Sequence, residues 1–116
     1  MMKKLFAAVL LTTISSFAFA EPFSVSSSYD VAQTLSGAIE FSVDEGKTAS
    51  FSGGYIKEFS VTVTPGNEDQ VILTYHFVAD TGDSQYETSS AVLTDLNKET
   101  VLTMNDQTFS FTVKRS

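Results

Sequence analysis

The stretch Glu58–Ala79 reads EFSVTVTPGNEDQVILTYHFVA, and its pattern decides the fold class. Phe59, Val61 and Val63 alternate with Ser60 and Thr62, the period-two signature of a half-buried strand. Pro65-Gly66 has the residue types for the centre of a type II turn, so the chain is expected to reverse there. Val71, Leu73, Tyr75 and Phe77 then mark the inward face of the returning strand. With Val63 facing Val71, Glu58 falls opposite His76 and Ser60 opposite Thr74, all four on the face away from the core.

The same grammar extends in both directions. Short runs rich in Val, Ile, Phe, Tyr and Thr alternate with Gly, Pro, Asn and Asp clusters, and helical periodicity is nearly absent. Phe23, Val25 and Tyr29 begin a first strand. Ile39, Phe41 and Val43 form another, ended by Asp44-Glu45-Gly46. Thr48–Ser52 leads into a Gly53-Gly54 turn, and Asn105-Asp106 supplies the last tight turn. Between them, Ala79–Glu87 (ADTGDSQYE) reads as a polar loop. The exception to the β pattern is Tyr29–Gly37, YDVAQTLSG. Asp30 followed by Gln33 has capping-box spacing, and Gly37 would stop a single helical turn. FSVTV (59–63) and FSFTV (109–113) are near copies, as related or convergent strands would be. Phe41, Phe59, Phe77, Phe109 and Phe111 are the principal core candidates, each worth about 1.5–3 kcal/mol when fully buried.

The N-terminus carries Lys3-Lys4, an apolar run from Leu5 to about Ile14, and Ala18-Phe19-Ala20, the order read by a signal peptidase. That run is shorter than the ~20 residues needed to cross a bilayer. Residues 1–20 are therefore expected to be a cleaved export signal, and 21–116 one β domain with no stable membrane insertion. The expected location is the periplasm of a Gram-negative bacterium, with secretion beyond it as the alternative. The chain has no cysteine, which removes thiol catalysis, thiolate metal sites and disulfide staples. Loss of Lys3 and Lys4 would leave five cationic side chains against fourteen carboxylates, a formal charge of −9. Apart from Lys114-Arg115 the cations stand singly, so nucleic-acid backbones and anionic membrane surfaces are poor partners.

Candidate sites are few. A Glu58–His76 pair has the makings of a general acid/base couple but no nucleophile beside it, and reads better as a surface cross-strand pair. Asp80, Asp83 and Glu87 offer oxygen ligands suited to calcium, without the spacing of an EF-hand loop. Tyr55 and Tyr86 present flat apolar faces to a carbohydrate or peptide, or else fold back to cap the core. Neither a GxSxG elbow, an SxxK, an HExxH nor a phosphate-cradling glycine loop occurs, so no enzyme and no cofactor is expected. The terminal runs FSVSSSY (23–29) and TFSFTVKRS (108–116) are candidate free edges for strand addition, the latter blunted by Lys114 and Arg115.

Three segments together resemble the β-domain of bacterial outer-membrane secretins: GKTASFSGG (46–54), VTVTPGNEDQVILTYHFVAD (61–80) and SSAVLTDLNKETVLTM (89–104). The chain is much shorter than a secretin, Asn97-Lys98 stands at the usual turn glycine, and the glycine pair after the last strand is absent. The resemblance implies a small exported accessory domain with related strand patterning; no functional residue carries over.

These observations lead to an all-β reading: a small antiparallel β-sandwich of seven or eight strands, immunoglobulin-like in architecture. The expected function is a non-catalytic binding or accessory module acting on another exported or envelope protein through an edge strand or loop aromatics. The alternatives are a structural subunit of a surface or secretion assembly and a small periplasmic hydrolase.

Overall fold

The computed structural model describes residues 21–116; the expected export signal, 1–20, lies outside the described residues. Eight strands follow one another with no helix among the described residues: β1 Pro22–Val31, β2 Leu35–Asp44, β3 Thr48–Gly53, β4 Ile56–Pro65, β5 Gln70–Asp80, β6 Gln85–Asp95, β7 Glu99–Met104 and β8 Gln107–Arg115. They form two four-stranded antiparallel sheets, ordered β2-β1-β8-β7 and β3-β4-β5-β6. The sandwich layers are those expected. The connectivity is an up-and-down meander, simpler than the Greek key of immunoglobulin domains. Strands β1 and β8 pair along their length, from Phe23 opposite Arg115 to Val31 opposite Gln107. The strand order is thus that of a flattened barrel open along two seams, β2/β3 and β6/β7.

This pairing corrects one expectation. The terminal runs 23–29 and 108–116 lie in the middle of the first sheet, and the free edges are β2, β3, β6 and β7. Two aromatic-rich strands bury more by pairing with each other than either would at an edge. Arg115 has a different role from edge protection: its guanidinium holds the Glu21 carboxylate at 2.5 Å and donates to the Glu68 carbonyl at 3.1 Å.

Between the sheets lies a buried aromatic layer. Phe59 on β4 is fully buried and meets Phe41 and Phe77 at 5.4 and 5.3 Å, Tyr29 at 6.0 Å, and Phe109 and Phe111 at 6.2 and 6.3 Å. All five contacts are of the edge type, as ring quadrupoles prefer. The FSVTV and FSFTV copies are interior strands of opposite sheets, and their phenylalanines meet across the core. The Ser27 hydroxyl, buried among these groups, donates to the Ile39 carbonyl at 2.7 Å. Tyr75 packs on Phe109 and Phe111, and its buried hydroxyl has no hydrogen-bond partner among the described residues.

Three turns differ from expectation. Tyr29–Gly37 makes no helical turn: Ala32 and Gln33 have φ of 55° and 59°, and Thr34 N–H donates to Val31 O at 3.1 Å, closing a tight hairpin. Gly37 faces Tyr29, whose ring occupies the space a β-carbon would need, its hydroxyl 2.7 Å from that position. Pro65 continues β4, paired with Val71, and the reversal runs through Gly66–Asp69. Val63 therefore faces Leu73 instead of Val71, a shift of two residues that leaves every side chain on its expected face. Finally, most of 79–87 belongs to strands, because Gln85, Tyr86 and Glu87 pair with Asp80, Ala79 and Val78.

Two variants test these features by urea denaturation. Tyr75→Phe removes a buried unpaired hydroxyl and should raise stability by about 1 kcal/mol; a loss of that size would mean the hydroxyl has a partner. Placing Asn-Gly at 32–33 relieves left-handed strain and should add about 1 kcal/mol, whereas a helical turn there would be weakened by the glycine.

Candidate functional site

Antiparallel order sends alternate connections to opposite ends of the sandwich. One end collects the β2–β3, β4–β5 and β6–β7 connections with both termini of the domain. Backbone bonds draw the sheets together there: Gly46 N–H reaches Val63 O at 2.8 Å, and Asn97 N–H reaches Val113 O at 2.8 Å. The other end, the tip, carries the four hairpin turns β1–β2, β3–β4, β5–β6 and β7–β8. Its backbone bonds stay within each sheet, Ala32 N–H to Asp106 O at 2.8 Å and Asp80 N–H to Tyr55 O at 2.9 Å.

A cleft of about 360 Å³ opens between the sheets at this tip, lined by Thr34 and Leu35 from one sheet and Tyr55, Asp83, Ser84 and Tyr86 among the groups from the other. Tyr55 follows Gly54, whose φ of 57° turns the chain out, and it stands 57% exposed. Tyr86 has its parity on the inward face of β6, and it packs against the core while still lining the cleft. The two aromatic alternatives thus divide: Tyr55 projects and Tyr86 caps the core edge. Both lie on one cavity, although 31 positions apart in sequence. Sequence reasoning missed Thr34 and Leu35 because their segment was read as a helical turn. Another cleft of about 360 Å³ shares Tyr86 and is lined by Lys57, Asp80, Gln85 and Glu87 among others.

The three calcium candidates do not converge. Asp80 spends its carboxylate on its own loop, accepting from Gly82 N–H at 2.8 Å and from Gln85 Nε2 at 3.3 Å. Asp83 lines the tip cleft, and Glu87 turns to His76 on the outer face of β5. Among the described residues no group of three or more carboxylate, imidazole or thiol side chains is placed to hold a metal ion. Asp44, Glu45, Glu68 and Asp69 belong to the opposite end.

His76 faces outward as expected but stands opposite Ser60, a consequence of the two-residue shift. Its ring lies between two carboxylates: Nε2 is 3.0 Å from Glu87 and Nδ1 is 3.4 Å from Glu58. Glu58 also accepts from Ser60 Oγ at 3.1 Å. The hydrogen bond to Glu87 is the main cause that raises the imidazole pKa above its ordinary 6.5; desolvation opposes it, and the hydrogen bond and charge of Glu58 add to the rise. Glu87 went unforeseen as a partner because it was assigned to a loop. The Ser60 hydroxyl in this arrangement bonds to the Glu58 carboxylate, while the two imidazole nitrogens face Glu58 and Glu87.

Compared with known proteins, the chain matches no family model, no curated protein and no solved structure.

The His76 cluster generates a signed prediction. A raised folded-state pKa favours the imidazolium in the native protein, so its stabilisation is complete below about pH 6.5 and is lost as pH rises through the higher folded value. The stability difference between the parent and His76→Gln should therefore grow as pH falls from 8 to 6. Its size should be on the order of 0.5 kcal/mol or less, because the pair is open to solvent. Parallel urea midpoints at the two pH values, or a difference that shrinks on acidification, would contradict this arrangement.

Proposed function

We propose that the protein is an exported, non-catalytic binding module of the Gram-negative envelope, and that it recognises another envelope molecule with its hairpin tip. The observation that carries this reading is the convergence of Tyr55 and Tyr86 on one cleft. Surface aromatics scattered singly need no explanation, but two on a single concave site, with polar groups between them, are the makings of a recognition surface. The cleft sits on turns held by a rigid core, the usual division of labour between scaffold and binding loops. Export is supported by the N-terminal pattern of residues 1–20.

Photo-crosslinking in the native host tests the reading. Benzoylphenylalanine incorporated at position 55 should yield a light-dependent adduct, and the same residue at position 45, at the opposite end, should not. No adduct at 55, or equal adducts at both positions, would count against the tip as the recognition surface.

A further inference from the structure

We propose that the tip cleft takes a cationic group, the side chain of an arginine or lysine in a basic peptide segment of the partner. This inference rests on the reading of the cleft as the recognition site and names its ligand chemistry. Three observations converge on it. The cleft joins two tyrosines to the Asp83 carboxylate, with hydroxyls from Thr34, Thr81 and Ser84 and no cationic side chain among its lining groups. Aromatic faces attract cations through the ring quadrupole, and a carboxylate beside them gives a guanidinium or ammonium a charge-assisted hydrogen bond. An anionic ligand would find no positive donor there.

The second observation is the distribution of charge. Of the five cationic side chains among the described residues, Lys47, Lys98, Lys114 and Arg115 lie at the end away from the cleft. The tip carries Asp30, Asp80, Asp83 and Asp106, with Lys57 as its cation, lining the neighbouring cleft with Tyr86. Seven carboxylates accompany those four cations at that end, so the two ends carry a similar net charge; what distinguishes the tip is that Asp83, Asp30 and Asp106 line clefts with no cationic side chain beside them.

The third is the neighbouring ground. A second tip cleft, lined by Asp30, Asp106, Ala32, Gln33, Asn105 and Thr108, again holds carboxylates and no cation. A peptide lying across the tip with two basic residues would meet acceptors at both places. A neutral glycan would stack on the tyrosines but leave the Asp83 carboxylate without a charged partner, so the lining favours the peptide.

The test is a titration of the purified chain, followed by the NMR signals of Tyr55 and Tyr86, in salt near 0.15 M to screen diffuse attraction to about 8 Å. The ligands are Ac-Gly-Arg-Gly-Arg-Gly-NH2, the same peptide with citrulline for arginine, and chitotriose. The arginine peptide should move both tyrosine signals and the citrulline peptide should not. Asp83→Asn and Tyr55→Ala should each weaken binding by about tenfold or more, while Glu45→Gln, an equal loss of charge at the opposite end, should leave it unchanged. Equal binding of the citrulline peptide, or equal weakening by Glu45→Gln and Asp83→Asn, would overturn the proposal. Chitotriose shifting the tyrosines where the arginine peptide does not would overturn the cationic ligand and keep the cleft as a recognition site. Failure of both ligands would overturn the cationic assignment, with the crosslink at position 55 deciding separately on the cleft.

Discussion

The contact of Phe59 with five other rings is the constraint on which the rest of the structure depends. Those rings come from β1, β2, β5 and β8, so one side chain on the second sheet meets three strands of the first. A one-residue slip in any of these strands would turn an aromatic into water and leave a void beside Phe59. The register of each pairing is thereby fixed from the core outward. With no cysteine in the chain, this packing has the part that disulfides take in many exported domains of this size.

The same layer explains why the chain's first and last strands lie inside a sheet. Tyr29 belongs to β1, and Phe109 and Phe111 to β8; their pairing brings three of the rings onto Phe59 at once. Closure through β1 and β8 leaves the seams elsewhere. Along β6/β7 the sheets are bridged by side-chain hydroxyls, Thr94 to Thr100, and by Thr88 to Gln107 nearby. The crossovers at one end then tie the sheets together through backbone, and the opposite end is left as separate hairpin turns around a cleft. Of the four non-glycine residues with positive φ among the described residues, three lie on that free end, Ala32, Gln33 and Asn105, and Asn97 lies at the other.

Much of this was legible in the residues. Strict alternation marked the inward faces, the five core phenylalanines and the outward position of His76, because side-chain parity in a strand is a local property. Strand partners are not local, and there the reading failed: the terminal runs looked like free edges until Phe109 and Phe111 were seen to need Tyr29 beside them. Tyr29–Gly37 looked helical for a related reason. Its capping spacing is real, but the burial of Tyr29 across Gly37 outweighs a single helical turn. The reversal after Pro65 was visible and its length was not, so His76 kept its face and changed its neighbour. In the same way Tyr55 and Tyr86 stood out as aromatics, whereas their meeting on one cleft depends on how three separate hairpins align.

Native-state hydrogen exchange of the backbone amides tests most directly whether the terminal strands close the fold over the Phe59 layer. The amides of β1 and β8 that bond across their shared ladder should exchange as slowly as those between β4 and β5, all through global unfolding. Terminal-strand amides exchanging by low-energy fraying, well before β4 and β5 open, would contradict that account.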